Sequence, residues 1–177
     1  MRLTLIAAQS LDGFITRHDT PGSNFASKAD QSFFREALRG FDCCVMGATS
    51  YREARAIIQK NLVSDRIRIV LTRKPEVFAH DAAPGKLEFV NSPPTQLVTD
   101  LRQRGFQRCA ILGGAQIHSL FLGAGLIDEL WLTVEPLLFG GGTPLLAERT
   151  SAKLTLISSQ NLAPNTLLLK YRVDQRV

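Results

Sequence analysis

The sequence predicts an α/β fold in which a predominantly parallel sheet is covered on both faces by helices, with an antiparallel edge supplied by a C-terminal hairpin. Three observations carry this expectation. The chain has 177 residues, 45% of them apolar, which is one domain of ordinary size with enough apolar surface for a real core. Strand-like apolar runs alternate with helix-period segments through its middle, and its end is all strand. Two of the strand-to-helix turns carry glycine where the helix begins.

Leu3 to Ala8 reads as a buried first strand, followed by the turn Leu11-Asp12-Gly13 and a long loop, residues 11–26, carrying His18, Pro21, Gly22 and Asn24. A loop of that length in a compact domain is usually functional. Phe33, Phe34, Ala37, Leu38 and Phe41 then mark one face of a helix opened by Ser27 and closed near Gly40. Asp42 to Met46 is a short strand, and Gly47-Ala48-Thr49-Ser50 leads into a helix over Tyr51 to Gln59, where Ser50 and Glu53 have capping-box spacing. Ile67 to Thr72 and Leu87 to Val90 are strands, and Thr95 to Arg104 is a helix with Leu97, Val98 and Leu101 inward before Gly105. Arg108 to Leu112 repeats the pattern of strand, glycines and helix. A long strand is expected over Ile127 to Leu138, then the turn Gly140-Gly141-Gly142-Thr143-Pro144, and a closing hairpin from Lys153 to Gln160 and Thr166 to Val173.

Several classes fall away. Lys and Arg number 21 against 16 Asp and Glu, a net charge of +5, but they are scattered, with no basic stripe interleaved with aromatics as nucleic-acid binding would want. The excess suits a solvated surface or an attraction for anionic small molecules. Cys43, Cys44 and Cys109 offer no C-x-x-C or Cys/His spacing, and His18, His80 and His118 have no ligand spacing, so no metal is expected. The cysteine usage fits a reduced cytoplasmic interior. The short apolar start is about half a signal-peptide core and reads as a strand. The stretch Ala110 to Ile127 is nearly all apolar, yet Gly113, Gly114, Gly123 and Gly125 punctuate it, so it reads as strand, turn and short helix and no membrane is expected.

The chemistry concentrates at strand ends. A helix N-terminus offers free N–H groups and a positive dipole end to a phosphate, and glycine lets that phosphate approach the backbone. Gly47 before Thr49 and Ser50 is one such turn, and Gly113-Gly114 before Ala115-Gln116-Ile117 is another, although tight turning by itself also accounts for these glycines. Neither has the spacing of a Rossmann or P-loop motif. Thr72-Arg73, at the end of another strand, can offer a hydroxyl and a guanidinium to a phosphate. Asp30 lies three residues after Ser27, where it completes a capping box, and beside a cleft lined by Phe33 or Phe34 it can also hold a substrate or relay a proton. Asp12 is either turn chemistry or a substrate contact. Glu135, amid Val134 and Pro136, is an edge residue or a site residue. His118 reads as packed or surface. No nucleophile-base arrangement is legible, as expected if a nicotinamide supplies the chemistry.

Taken in order, Ser10-Leu11-Asp12-Gly13, Asp42 through Val45-Met46-Gly47-x-Thr49-x-Tyr51, Val70-Leu71-Thr72-Arg73, Leu112-Gly113-Gly114-Ala115 and Gly125-Leu126-Ile127-Asp128-Glu129-Leu130 resemble the RibD C-terminal reductase family, which shares the dihydrofolate reductase fold. The likeness covers nearly the whole chain, residues 1–177. It implies a three-layer fold and an NADPH-dependent oxidoreductase. Its cofactor would be bound by Ala8, Gly47, Thr49, Ser50, Thr72, Arg73, Gly113, Gly114, Ala115, Gln116 and Ile117. Thr72-Arg73 would lie near the adenosine phosphate and favour NADPH over NADH. Riboflavin-pathway members reduce the ribosyl group of a phosphorylated aminopyrimidine. Asp12, Asp30, Phe33, Phe34 and Glu135 are the expected substrate contacts. The resemblance supports Asp12, which matches the family's substrate-side loop, and Asp30, which falls where dihydrofolate reductases keep the acid that holds the pterin. Asp30 or a bound water is the expected proton source.

The chain departs from the riboflavin enzymes in having no deaminase-like segment, and in reading Leu112-Gly113-Gly114 where many have Glu-Gly-Gly. Dihydrofolate reductase activity and a non-catalytic nucleotide-binding role are the alternatives. Family members are commonly homodimers, and the strand from Ile127 to Leu138 with Trp131 offers an apolar surface for core or interface.

Overall fold

A computed structural model describes residues 1–174. Its strands are β1 (Arg2–Ser10), β2 (Cys43–Gly47), β3 (Ile67–Leu71), β4 (Leu87–Val90), β5 (Arg108–Gly113), β6 (Glu129–Glu135), β7 (Leu154–Ala163) and β8 (Thr166–Val173). The helices are α1 (Lys28–Leu38), α2 (Ala48–Lys60), α3 (Pro94–Gln103) and α4 (Ala115–Gly123), with a 3₁₀ segment at Pro75–Asp81. The strands form one sheet in the order β4-β3-β2-β5-β1-β6-β8-β7. The first six run parallel, and β8 and β7 pair antiparallel at one edge. This is the architecture that the alternation of patterns predicts.

Two apolar layers sandwich the sheet. Leu3, Leu5, Cys43, Val45, Ile69, Cys109 and Ile111 pack with Leu97, Leu101 of α3 and Ile117, Phe121 of α4 on one face. Ile6, Cys44, Met46, Val70 and Ala110 pack with Tyr51 and Ile58 of α2 on the other, joined by Phe34 and Leu38 of α1. The adjacent cysteines thus serve opposite faces, as neighbouring strand residues must.

Several features differ from the sequence expectation beyond shifts of one to three residues at strand and helix ends. Helix α2 starts at Ala48, with Gly47 as its N-cap and no side-chain cap, so Ser50 lies inside the first turn and the Ser50/Glu53 capping box does not form. Strand β6 begins at Glu129 and ends at Glu135, well inside Ile127–Leu138, because Pro136 has no N–H and Leu137 N turns back to Glu135 O at 2.8 Å. The 3₁₀ segment was not legible among the residues joining β3 and β4. Phe41 lies beyond the end of α1, which closes at Arg39. No helix among the described residues is long and apolar enough to cross a membrane, and 110–127 is strand, turn and helix.

Candidate active site

The carboxyl ends of β3, β2, β5, β1 and β6 lie side by side, and the sequence-predicted glycine turns, Thr72-Arg73 and Glu135 sit at them, while Asp30, Phe33 and Phe34 lie on α1. Gly47 ends β2 and Gly113 ends β5, and Met46 pairs with Gly113 in the ladder. Each turn leads straight into a helix whose N-cap, Gly47 for α2 and Gly114 for α4, makes no side-chain cap hydrogen bond. Two helix N-termini without side-chain caps therefore open on adjacent strands, and their orphan N–H groups and dipoles favour an anion between them.

The glycines divide the work. A Cβ on Gly47 would meet Ile117 Cγ1 at 3.1 Å, and one on Gly113, where φ is +99°, would meet His118 Nε2 at 2.6 Å. Both keep the turn packed on α4. Gly114 faces open space apart from Ser50 Oγ at 3.5 Å, so among the glycines of these turns its bare backbone is the one presented to a ligand. The Gly113–Gly114 peptide bond is cis. Thr72 and Arg73 follow β3 at the next strand end, Arg73 exposed and Thr72 Oγ1 accepting from Lys74 N at 3.2 Å. Thr49 and Gln116 are exposed on the first turns of α2 and α4, while Ala115 and Ile117 are buried.

Across β1 lies an acidic centre. Ile6, Ala8 and Ser10 pair with Trp131, Thr133 and Glu135 of β6, and these alternate residues face α1. Ser27 caps α1, its hydroxyl accepting from Asp30 N at 3.2 Å. The predicted return bond from Asp30 to the cap does not form. Ser27 N instead donates to Glu135 Oε1 at 2.8 Å, and Glu135 Oε2 accepts from Thr166 Oγ1 at 3.0 Å. Glu135 is thus a buried anchor that fixes the start of α1 to β6 and leaves the Asp30 carboxyl for Thr133. Asp30 is itself buried. Burial pushes its pKa up, opposed by the Thr133 hydrogen bond and reinforced by the negative charge of Glu135. Phe33 lies 6.3 Å from Trp131, whose ring carries Lys170 Nζ at 3.9 Å, whereas Phe34 packs into the core.

Asp12 is exposed, and its carboxylate bridges two segments of chain. Its carboxylate accepts from Ser10 Oγ at 2.6 Å, from Phe139 N at 3.0 Å and from Gly140 N at 2.7 Å. These donors, led by Ser10, hold its pKa down. Asp12 therefore clamps residues 139–140 to the loop. A cavity of about 560 Å³ lies between this loop, α2 and the turn at residues 141–143, lined by Thr16, His18, Asp19, Glu53, Gly142 and Thr143 among others, with no Lys or Arg among the described residues of its wall.

Sequence reasoning missed Thr133. Its only signal was that it sits two residues before Glu135, on the same strand face.

Sheet order, helix layers and the placement of the glycine turns define an α/β protein of the dihydrofolate reductase-like fold. The chain belongs to the RibD C-terminal domain family, whose model matches residues 2–168. It is 26% identical over 155 residues to the uncharacterised protein YwjB of Bacillus subtilis, covering 85% of each chain. Among solved structures it resembles a diaminohydroxyphosphoribosylaminopyrimidine deaminase/5-amino-6-(5-phosphoribosylamino)uracil reductase of Thermotoga maritima, at 17% identity and a TM-score of 0.79. That alignment covers 98% of this chain and 56% of the bifunctional one. It also resembles the dihydrofolate reductase of Enterococcus faecalis in complex with NADP(H), at 20% identity and a TM-score of 0.66, covering 98% and 97% of the two chains.

Proposed function

We propose that the protein is an NADPH-dependent reductase of a nitrogen heterocycle, with a ribosylaminopyrimidine phosphate of the riboflavin-pathway type as the leading substrate class. One observation carries the reading: two helix N-termini without side-chain caps open on β2 and β5, and the buried acid Asp30 lies across the neighbouring strand β1. The open face of Gly114 fits a dinucleotide pyrophosphate, and Gly47, Thr49, Ser50, Ala115, Gln116 and Ile117 complete its cradle. Thr72 and Arg73 would hold the adenosine end, the guanidinium favouring the extra phosphate of NADPH. Ala8, beside Thr133, borders both halves. NADPH supplies the hydride when bound.

The chain's own residues bind, orient and handle the proton. With its pKa raised, Asp30 keeps a proton to a higher pH than an exposed carboxyl, a shift that the neighbouring Thr133 hydroxyl moderates. Asp30 then supplies the proton that accompanies the hydride, to the sugar oxygen released as the C1′–O bond of a ribosyl substrate opens or to the ring nitrogen of a pterin, while Phe33 and Trp131 exclude water. Asp12 shapes the substrate side by holding residues 139–140, and Glu135 by holding α1.

Dihydrofolate reductase activity is the second reading, favoured by the buried acid Asp30 beside Thr133. NADPH oxidation measured with the ribosylaminopyrimidine phosphate and with dihydrofolate decides between them. Turnover of neither, with NADPH bound, would leave the non-catalytic nucleotide-binding role.

We further propose a cytoplasmic homodimer. The buried free thiols Cys43, Cys44 and Cys109 suit a reducing compartment. Trp131 is half-buried against Phe33, Phe41 and Lys170. Leu154, Leu156, Ile157 and Leu167 are exposed on the edge hairpin and are the apolar surface a second copy would cover. Light scattering of wild type and Leu156→Asp tests this.

A further inference from the structure

The segment after β6 is bonded along one side to the anion-binding turn and along the other to the substrate loop. On the turn side, His118 Nδ1 lies 2.9 Å from Leu145 O. Ser119 Oγ accepts from Ala147 N at 2.8 Å and from Glu148 N at 3.1 Å. On the loop side, Ile15 N donates to Thr143 O at 2.8 Å, Thr143 N to Thr16 Oγ1 at 2.8 Å, and Leu145 N to Gly13 O at 3.3 Å. Gly142 packs so closely that a Cβ would lie 2.2 Å from Thr16 O. Residues 142–148 are therefore a strap joining α4 to the loop 11–26.

His118 is the strap's least replaceable contact. A carbonyl only accepts, so Nδ1 carries the proton and Nε2 presents a lone pair. That lone pair is buried without a partner among the described residues and is pressed against Gly113. Leaving a buried polar atom unpaired is unfavourable, and an apolar side chain would fill the same space without that cost. The histidine is explained by what its other nitrogen holds, the Leu145 carbonyl, while its ring touches the glycine turn.

We propose that His118 is a positioning residue coupling the Gly113–Gly114 turn to the substrate loop through the strap, so that a dinucleotide phosphate on the turn orders residues 13–18. The inference rests on the cofactor reading above. Coupling is reciprocal, so a ligand that orders the loop tightens the dinucleotide in turn.

Amide hydrogen exchange on the full chain, with and without NADPH, tests it over residues 13–18 and 115–120. Wild type is expected to show slower exchange in both segments, by about 5- to 10-fold in the loop. His118→Phe keeps the ring volume without the Nδ1 donor. It should retain protection at 115–120 and lose it at 13–18, while His118→Asn, whose amide nitrogen replaces Nδ1, restores it. Loop protection that survives in His118→Phe, or protection of 115–120 without the loop in wild type, overturns the coupling. Should NADPH protect neither segment, the cofactor reading fails, and the ligand-free proteins judge the strap: faster loop exchange in His118→Phe supports it, and unchanged exchange overturns it.

Discussion

Replacing Gly113 by alanine puts a methyl group where the structure has no room. The backbone at Gly113 has φ +99°, a conformation that L residues rarely adopt and that costs about 1–3 kcal/mol. The added Cβ would lie 2.6 Å from Nε2 and 2.9 Å from Cε1 of His118, whose ring is 1% exposed and has nowhere to go. Overpacking of this kind costs about 1–3 kcal/mol, and moving the ring breaks the Leu145 bond for about 1 kcal/mol more. Gly113→Ala should therefore lose about 3–7 kcal/mol, which for a chain of this size lowers Tm by roughly 6–28 °C. Urea denaturation followed by Trp131 fluorescence gives the free energy directly. The collision is separated from backbone strain by a double-mutant cycle: with His118→Ala present, the cost of Gly113→Ala should fall by about 1–2 kcal/mol. Full additivity, or a Gly113→Ala protein within about 0.5 kcal/mol of wild type, would refute this account of the turn.

Three other outcomes are expected. Asp30→Asn should lower turnover by about 10²–10⁴-fold, and the wild-type fall in rate as pH rises through the raised Asp30 pKa should disappear in the variant; a pH–rate profile checks both. Burial takes the His118 pKa from 6.5 down to about 4, so the stability linked to its neutral form is complete above pH 6.5 and is lost as pH falls, by about 3 kcal/mol at pH 4. His118→Asn should remove that part of the acid loss in denaturation curves at pH 7 and 4. The pKa of Asp81, held at about 2 by the Arg55 guanidinium, adds to acid loss only below about pH 3.8, so it does not confuse the comparison. Gly142→Ala should speed exchange over residues 13–18, because its Cβ would meet Thr16 O on the strap's loop side.

Local periodicity made the layers and the order of elements legible. What it could not show lies in contacts between distant residues. Ser27 was readable as a cap, but the partner of its N–H is Glu135, 108 positions away, and only that bond explains why the Asp30 carboxyl is not spent on the cap. Thr133 looks like any β-branched strand residue until α1 is folded over it. Gly113 and Gly114 read as equivalent, yet one is filled by His118 and the other is open, a difference set by a ring five residues along α4 from Gly113. Apolar character carried the expected strand past Pro136, where the missing N–H ended the ladder. Asp12 showed its type but not its bonds, because Phe139 and Gly140 reach it from 127 and 128 residues away.

The central claim, that the paired glycine turns bind a dinucleotide and prefer NADPH, is tested most directly by titrating the protein with NADPH and NADH and following nicotinamide fluorescence. Saturable binding that is at least about tenfold tighter for NADPH, and that disappears in a folded Gly114→Val protein, is the predicted result. No binding of either nucleotide, or unchanged NADPH affinity in Gly114→Val, would contradict the account and leave the glycines as turns alone.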